Sequence, residues 1–455
     1  MKTHIVTWAQ NATPVHKPTL NTLLRYSRIH DADLHVVAGR YANPTSFWSQ
    51  RAASQDVWAD EITPFIRPKP VRLCRNLVLY GGVSITPTAE NPLTGFEAHA
   101  GDHSAIFGHP RIALTSVPRP ARDPRIFAST GAITKPHYIP SKAGKKAERH
   151  HSYAATVVEV EADGTYHLRQ LVATKGGVIH DVCGRDGVPG VRYSPDGVTV
   201  ADGPTLVLGD LHAEIHTEQS WVETVTACAD LKPRLIIVHD VVDFTTGGHH
   251  NRHKWWQERE RARPIDEDLH CASAKLEDLA RIAPVVVVPS NHHDHIDRWL
   301  QETHPGDTPQ NARLWVELWY LYYRGDRSGG LERYHRHMYG GERGEHPVRF
   351  LAVGEPLWVA GVFCGYHGDR GTNGACGSLR GFARLGAKVM VGHSHAPGWK
   401  DGARQVGVMA PLDGFDFRKG APDASLRTFG TIWPNGKTQL VTLIDGRFRP
   451  TCARI

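Results

Sequence analysis

Short apolar runs recur along this chain, and most of those in its second half end in a cluster of polar residues. In the first part, residues 4–9 read as a strand. Leu20, Leu23, Leu24 and Ile29 fall at helical spacing over residues 19–29. Residues 34–37 and 77–80 read as further strands. Together they predict a β-α-β unit on an open α/β sheet. Residues 111–172 are richer in strand signals, and two runs, 154–161 and 166–172, flank the hairpin signal Asp163-Gly164. Over residues 186–203 the composition shifts to Gly, Pro and Asp. A domain boundary is placed there, giving an N-terminal α/β domain over residues 1–195 and a second domain over 196–455. Two domains suit a chain of 455 residues at roughly 100–200 residues each.

The second part is more regular. The run Thr205-Leu206-Val207-Leu208 leads into Gly209-Asp210-Leu211-His212. Residues 235–238 precede His239-Asp240, and residues 285–288 precede Pro289-Ser290-Asn291-His292. Residues 357–363, read as one strand, precede Gly365-Tyr366-His367. Residues 388–391 precede Gly392-His393-Ser394-His395. A continuous apolar run suits a strand buried on both faces, and open α/β sheets place ligands beyond the carboxyl ends of such strands. Pro309 marks a helix start, with Leu314, Leu318, Leu321 and Tyr322 as its apolar stripe. Residues 431–448 read as a hairpin around Asn435-Gly436.

These polar clusters carry the chemistry. On an extended strand end, residues i and i+2 point to one side, so Asp210 and His212 would converge on one ion, and His393 and His395 likewise. Asp240 and Asn291 add oxygen ligands and His367 a nitrogen. Seven ligands are too many for one zinc-like ion with an open catalytic position. They suit two ions sharing a carboxylate, an arrangement that activates water and steadies both oxygens of a displacement at phosphorus. His292, beside the ligands, can donate a proton to the leaving alkoxide. Carboxylate, amide oxygen and imidazole without thiolate suit Mn, Fe or Zn. Four histidines disfavour Mg, which keeps oxygen ligands and waters; Mn is the metal expected here.

In order and spacing, Asp210-Leu211-His212, Asp240-Val241-Val242-Asp243, Asn291-His292, His367 and Gly392-His393-Ser394-His395 resemble the calcineurin-like metallophosphoesterase superfamily. Its pattern is D-x-H, G-D-x-x-D, G-N-H-[DE], a lone H and G-H-x-H. The resemblance implies a four-layer-type metallophosphoesterase sandwich behind the N-terminal α/β domain. It also implies that Asp210, His212, Asp240 and His395 hold one metal, that Asp240, Asn291, His367 and His393 hold the other, and that His292 is the acid-base residue. His239 and Ser290 stand where the pattern has glycine, and His293 stands at the acidic position, with Asp294 after it. Asp243 either supports the bridging carboxylate or caps the following turn. Any one motif is weak; five in order, each behind an apolar run, set aside a chance scatter of surface histidines.

The ligands do not choose the phosphoester, so the surroundings must. Residues 245–256, which include His250, Arg252 and His253 as tentative substrate contacts and Trp255-Trp256, join cations to aromatics. That combination suits phosphate contact and base stacking, or equally a solvated helix face. Residues 135–149, with Lys135, Lys142, Lys145, Lys146 and Arg149, read as a basic loop that either follows a nucleic-acid backbone or is merely solvated. The His-rich stretch behind Asp240 and the run Asn291-His292-His293-Asp294-His295 also resemble, more loosely, host-DNA-degrading early nucleases of T-five-type phages, and the superfamily's DNA-repair nucleases share the Asn-His and Gly-His-x-His arrangement. This resemblance implies an Mn-favouring DNase with DNA as partner, acting in the host cytoplasm. The alternatives are a phosphatase or small-molecule phosphodiesterase and, in another class, a host-factor-binding module with an accessory hydrolase.

Composition adds limits. The net charge of +6, from 53 Lys+Arg against 47 Asp+Glu, permits a polyanionic partner without demanding one. Histidine is frequent, at 29. Seven cysteines at irregular spacing, with no C-x-x-C pair, predict neither a disulfide framework nor a cysteine zinc site. No stretch approaches 18 apolar residues, so a cytoplasmic protein without membrane contact is expected. These patterns do not specify an oligomeric state.

Overall fold

Alternation along buried strands sets the layers. In strand Thr205–Asp210, Leu206 and Leu208 face one core and Val207 the other. Ile236 and Val238 part from Ile237 in strand Leu235–His239, and Val285 and Val287 from Val286 in Val285–Val287. The first core packs under helices Glu218–Asp230, Ile265–Ala280 and Asn291–Glu302 through Ala227, Leu269, Leu276, Ile296 and Trp299. The second core packs against Met390, Trp399 and Leu114 of another sheet and against Val6 and Trp8. These strands are therefore apolar on both faces, which is why their sequence is continuous rather than alternating. The computed structural model describes residues 1–41, 57–120, 122–248, 264–340, 346–415 and 421–450.

The molecule is mixed α/β. A six-stranded sheet runs in the order Val348–Phe350, Val285–Val287, Leu235–His239, Thr205–Asp210, Thr428–Ile432, Thr438–Thr442. Its first four strands are parallel, and the C-terminal hairpin continues it antiparallel. The N-terminal β-α-β unit forms as expected. Strand Lys2–Gln10 pairs parallel with Ala32–Gly39 across helix Lys17–His30, whose Leu20, Leu23 and Tyr26 are buried against this sheet. The hairpin Ala154–Val160 and Tyr166–Val172 completes a four-stranded sheet.

The structure departs from the sequence reading in three places. Residues 186–203, where a domain boundary was placed, are built largely into strands. Strands Ile179–Arg185, Val188–Tyr193 and Val198–Ala201 form an antiparallel sheet, and the first of its tight turns, at Asp186-Gly187, takes positive φ at both residues; the Asp content belongs to the turns and loop ends, while Pro189 and Gly190 lie within a strand. The division at 195/196 also separates no two independent sheets. A ten-stranded sheet draws Val71–Cys74, Leu77–Tyr80, Ser104–Phe107, Ala113–Arg119 and Arg122–Ser129 from one side of it and five strands over residues 358–405 from the other. The join is antiparallel, Trp399 against Leu114. Finally, residues 357–363 are not one strand but a two-residue hairpin, Trp358–Val359 with Val362–Phe363, turned at Ala360-Gly361 with both residues at positive φ.

A buried ionic network ties the front sheet to the C-terminus. Arg169 pairs with Glu159 at 2.7 Å and with both Asp181 carboxylate oxygens at 2.6 and 2.8 Å. Arg449 also contacts Glu159 and donates to the Val182 carbonyl at 2.6 Å. Burial works to raise the Glu159 and Asp181 carboxyls. The guanidinium groups outweigh it, Arg169 foremost, and hold both below the usual carboxylate range.

The six cysteines among the described residues are free. No described helix is long and apolar enough to cross a membrane.

Candidate metal centre

The parallel strands of the six-stranded sheet end together, and their ends carry the site. Asp210 closes strand Thr205–Asp210 and Asp240 follows Leu235–His239. Asn291 opens helix Asn291–Glu302, which Ser290 caps by accepting from the His293 N–H. His393 and His395 follow strand Lys388–Val391 of the ten-stranded sheet. Asp210, His212, Asp240, His367 and His395 are all buried.

Two clusters form. Asp210, His212 and His395 present ligand atoms within 4.8 Å of one another, and so do Asp240, His367 and His393. In the first, His212 Nε2 faces His395 Nε2 at 3.0 Å, and His395 Nε2 lies 3.2 Å from Asp210 Oδ2. In the second, His367 Nε2 lies 3.1 Å from Asp240 Oδ2. The clusters adjoin: His367 Nδ1 is 3.9 Å from Asp210 Oδ1, which also accepts from the His393 backbone N–H at 3.0 Å. Asp240 Oδ1 and Asn291 Oδ1 are buried without a hydrogen-bond partner among the described residues.

The donor set fits cations. The imidazoles of His212 and His395 meet nitrogen to nitrogen, and Asp240 Oδ1 and Asn291 Oδ1 are buried with no hydrogen bond among the described residues, which costs free energy unless a cation accepts those oxygens. Burial opposes charging of His367, yet Asp240 and Asp210 push its imidazole up to about 9.

The backbone does not deliver these ligands as an extended strand would. His212, Asp240, His393 and His395 all sit in the left-handed region, at φ 44°, 35°, 78° and 57°. The i, i+2 pairs therefore converge through strained turns. Side chains other than glycine rarely adopt this conformation, and each such residue costs on the order of 1–3 kcal/mol, so clustered outliers mark a functional site. Gly392 has no room for a side chain: a Cβ there would collide with Asp210 Oδ1 and press on the His239 ring. Buried His239 thus packs on this glycine.

Supporting side chains hold the turns. Asp243 Oδ1 lies 3.0 Å from His212 Nδ1, and Asp243 Oδ2 accepts from the Thr245 hydroxyl. Asp243 therefore orients His212 and braces its own turn at once; it does not contact Asp240 in the way a brace of that carboxylate would. One such residue escaped the sequence reading, and a second, His293, was noted there only for its place in the motif. Half-buried Glu214 accepts from the backbone N–H groups of Asp243 and Phe244 at 2.9 and 2.6 Å; burial of its carboxyl, then Asp243, pushes it up to about 7. Its signal was present, as the next alternate position in Asp210-Leu211-His212-Ala213-Glu214. His293 Nε2 accepts from the Val241 N–H at 3.1 Å, so the residue at the motif's acidic position fixes the turn after Asp240.

His292 stands at the rim. Its Nδ1 donates to the Asp243 carbonyl at 2.9 Å, leaving Nε2 toward the site, 3.9 Å from Asp240 Oδ2. Burial works against its charging, but Asp240 and Asp243 hold it above its ordinary value. Beside it opens a cleft of about 460 Å³ lined by Ser290, Asp294, Tyr366, His367, Arg370 and Phe382, among others. The tentative substrate contacts His250, Arg252 and His253 lie outside the described residues.

No family model matches the chain. It is similar to Protein A1 of Escherichia phage T5, with 31% identity over 473 residues, covering 98% of this chain and 83% of that protein.

Proposed function

The chain belongs to the family of Protein A1 of Escherichia phage T5, and on that footing we propose that it is a phage-encoded metallophosphoesterase of the calcineurin-like kind that hydrolyses DNA phosphodiester bonds. The observation that carries this reading is the pair of adjoining clusters, Asp210/His212/His395 and Asp240/His367/His393. Asp240 and Asn291 each direct an orphaned oxygen there. The layered sheets with ligands at the strand ends accord with the superfamily's sandwich.

Asp210, His212, Asp240 and His395 would hold one divalent ion, and Asp240, Asn291, His367 and His393 the other. Such a pair supplies an activated water and charge stabilisation at phosphorus. The chain does the rest. Asp243 and Glu214 keep His212 and its turn in place. His292, with Nδ1 fixed on a carbonyl, offers the Nε2 proton to the leaving alkoxide as the P–O bond breaks. The cleft beside it receives the strand, with Tyr366 available for base stacking and Arg370 for phosphate. The N-terminal sheets position DNA or assemble subunits.

The test incubates metal-stripped protein with circular double-stranded DNA and with an aryl phosphate ester. Each substrate is given Mn, Mg or chelator, beside a His395→Ala control. Mn-dependent DNA loss, weaker or absent with Mg and absent from the control, is the expected result. Intact DNA with ester hydrolysis would move the substrate to a phosphomonoester or small diester. DNA loss equal with Mg would overturn the ligand assignment.

A further inference from the structure

A second concave site lies away from the metal centre. Helix Lys142–His150, the start of strand Lys388–Val391, residues 401–404 and the turn at residues 436–438 enclose a cavity of about 480 Å³. Its wall carries Arg111, Arg149, Arg384, Lys388, Arg404 and Lys437, and one carboxylate among the described residues, Asp401. Asp401 is already engaged, by the Arg111 guanidinium and by His150 Nδ1 at 3.3 Å.

The other cations have no carboxylate among the described residues. Lys388 Nζ donates to the Gly436 carbonyl at 3.1 Å. Buried Arg404 donates to the Thr438 hydroxyl at 2.9 Å and the Gly402 carbonyl at 2.6 Å, and lies 4.4 Å over the Trp399 ring. Burial, then Lys388 and Arg404, pull the Lys437 amine down to about 8, and burial pulls Arg404 down to about 10. Gathering like charges in a partly desolvated pocket is costly unless a counter-ion completes it. Ammonium groups and guanidinium forks are phosphate-binding groups, and the volume falls within the roughly 300–1,000 Å³ of small-ligand sites.

We propose that this cavity is a second ligand site, which takes a small anion bearing phosphate groups. It lies at the far pole of the sheet from the metals. Lys388 begins the strand Lys388–Val391, whose other end, roughly 10 Å away at about 3.3 Å per residue, leads through Gly392 to His393. Arg111 lies in the bend before strand Ala113–Arg119 and Arg149 in helix Lys142–His150, whereas Lys388, Arg404 and Lys437 come from the later part of the chain. The bound anion therefore clasps the junction between them and leaves the metal ligands free.

The experiment titrates full-length protein, in chelator, with pyrophosphate, with a deoxynucleoside triphosphate and with a short single-stranded oligonucleotide, by calorimetry. Wild type should bind pyrophosphate saturably at one site. Lys388→Gln/Lys437→Gln should weaken binding at least about tenfold, as loss of two charge-assisted contacts requires. Lys437→Arg should retain it, and His367→Ala, which strikes the metal centre, should leave it unchanged. Tighter binding of the triphosphate than of pyrophosphate would make a nucleotide the ligand; equal binding would make the phosphate groups sufficient. A readout on wild type alone covers misfolding of the double variant: pyrophosphate should protect Lys437 from an amine-acylating reagent, mapped by mass spectrometry. No saturable binding, binding of the oligonucleotide alone, loss in His367→Ala, or unprotected Lys437 would each overturn the proposal.

Discussion

With Nδ1 of His292 committed to the Asp243 carbonyl, Nε2 is the nitrogen that, in the proposed function, would exchange a proton with substrate. His292→Ala should therefore leave metal content intact and slow turnover by roughly 100- to 10,000-fold, the usual contribution of acid-base help. Metal analysis of the purified variant beside its kinetics checks both halves; loss of metal would reassign the residue as a ligand. Asp243 acts one step further out, through His212 Nδ1. Asp243→Asn should weaken metal binding about 10- to 100-fold, as removal of a ligand-orienting carboxylate does, measured by competition with a chromogenic chelator. The Asp and His residues that gather in the two clusters stood out in the sequence, because such side chains at strand ends say what they could offer a cation. Glu214 and His293 could not be so readily recognised, because they act on backbone N–H groups, and a backbone donor leaves no mark on sequence.

The elements were legible where burial dictates composition. Val285–Val287 and Lys388–Val391 are strands whose apolar runs follow from two-sided packing. The run at 357–363 misled because both strands of its hairpin are apolar and Ala360, not a usual turn residue, takes φ 46° there. The segment at 135–149, read as a loop, is in its second half the helix Lys142–His150, capped by the Ser141 side chain accepting from the Gly144 N–H. Turn geometry was the least legible feature of all. An extended strand end was expected to aim the i, i+2 pairs, whereas left-handed residues do so. Gly392 is the pivot of one such turn, so Gly392→Ala should displace Asp210 or His239 and lower metal content sharply while the far-ultraviolet circular dichroism stays unchanged. Normal metal content in that variant would refute the close approach.

For the whole molecule, the network of Arg169, Glu159, Asp181 and Arg449 joins residues distant in sequence. Arg449→Ala would leave Glu159 with one buried partner fewer and should cost about 3–5 kcal/mol in denaturant unfolding, the usual cost of breaking a buried pair. Because Glu159 and Asp181 are held below their unfolded values, their contribution is complete above roughly pH 5 and is lost as acid takes the protein down through the folded values. Wild type should thus lose stability below that pH more steeply than Arg449→Ala, and parallel acid titrations of the two would contradict this. Such long-range pairing is what local pattern conceals, and the ten-stranded sheet conceals it most. Ala113–Arg119 pairs at once with Arg122–Ser129 on one side but meets its other neighbour only at Gly398–Lys400, so roughly 280 residues of synthesis separate those partners, or about 15–55 s at ribosomal rates of about 5–20 residues per second. For that interval the nascent chain carries an open row of amides and carbonyls, a template for pairing with other chains. Any ribosome that stalls short of residue 400 leaves a sticky fragment, and yield in the cell then depends on chaperones that shield that edge until residues 398–400 arrive.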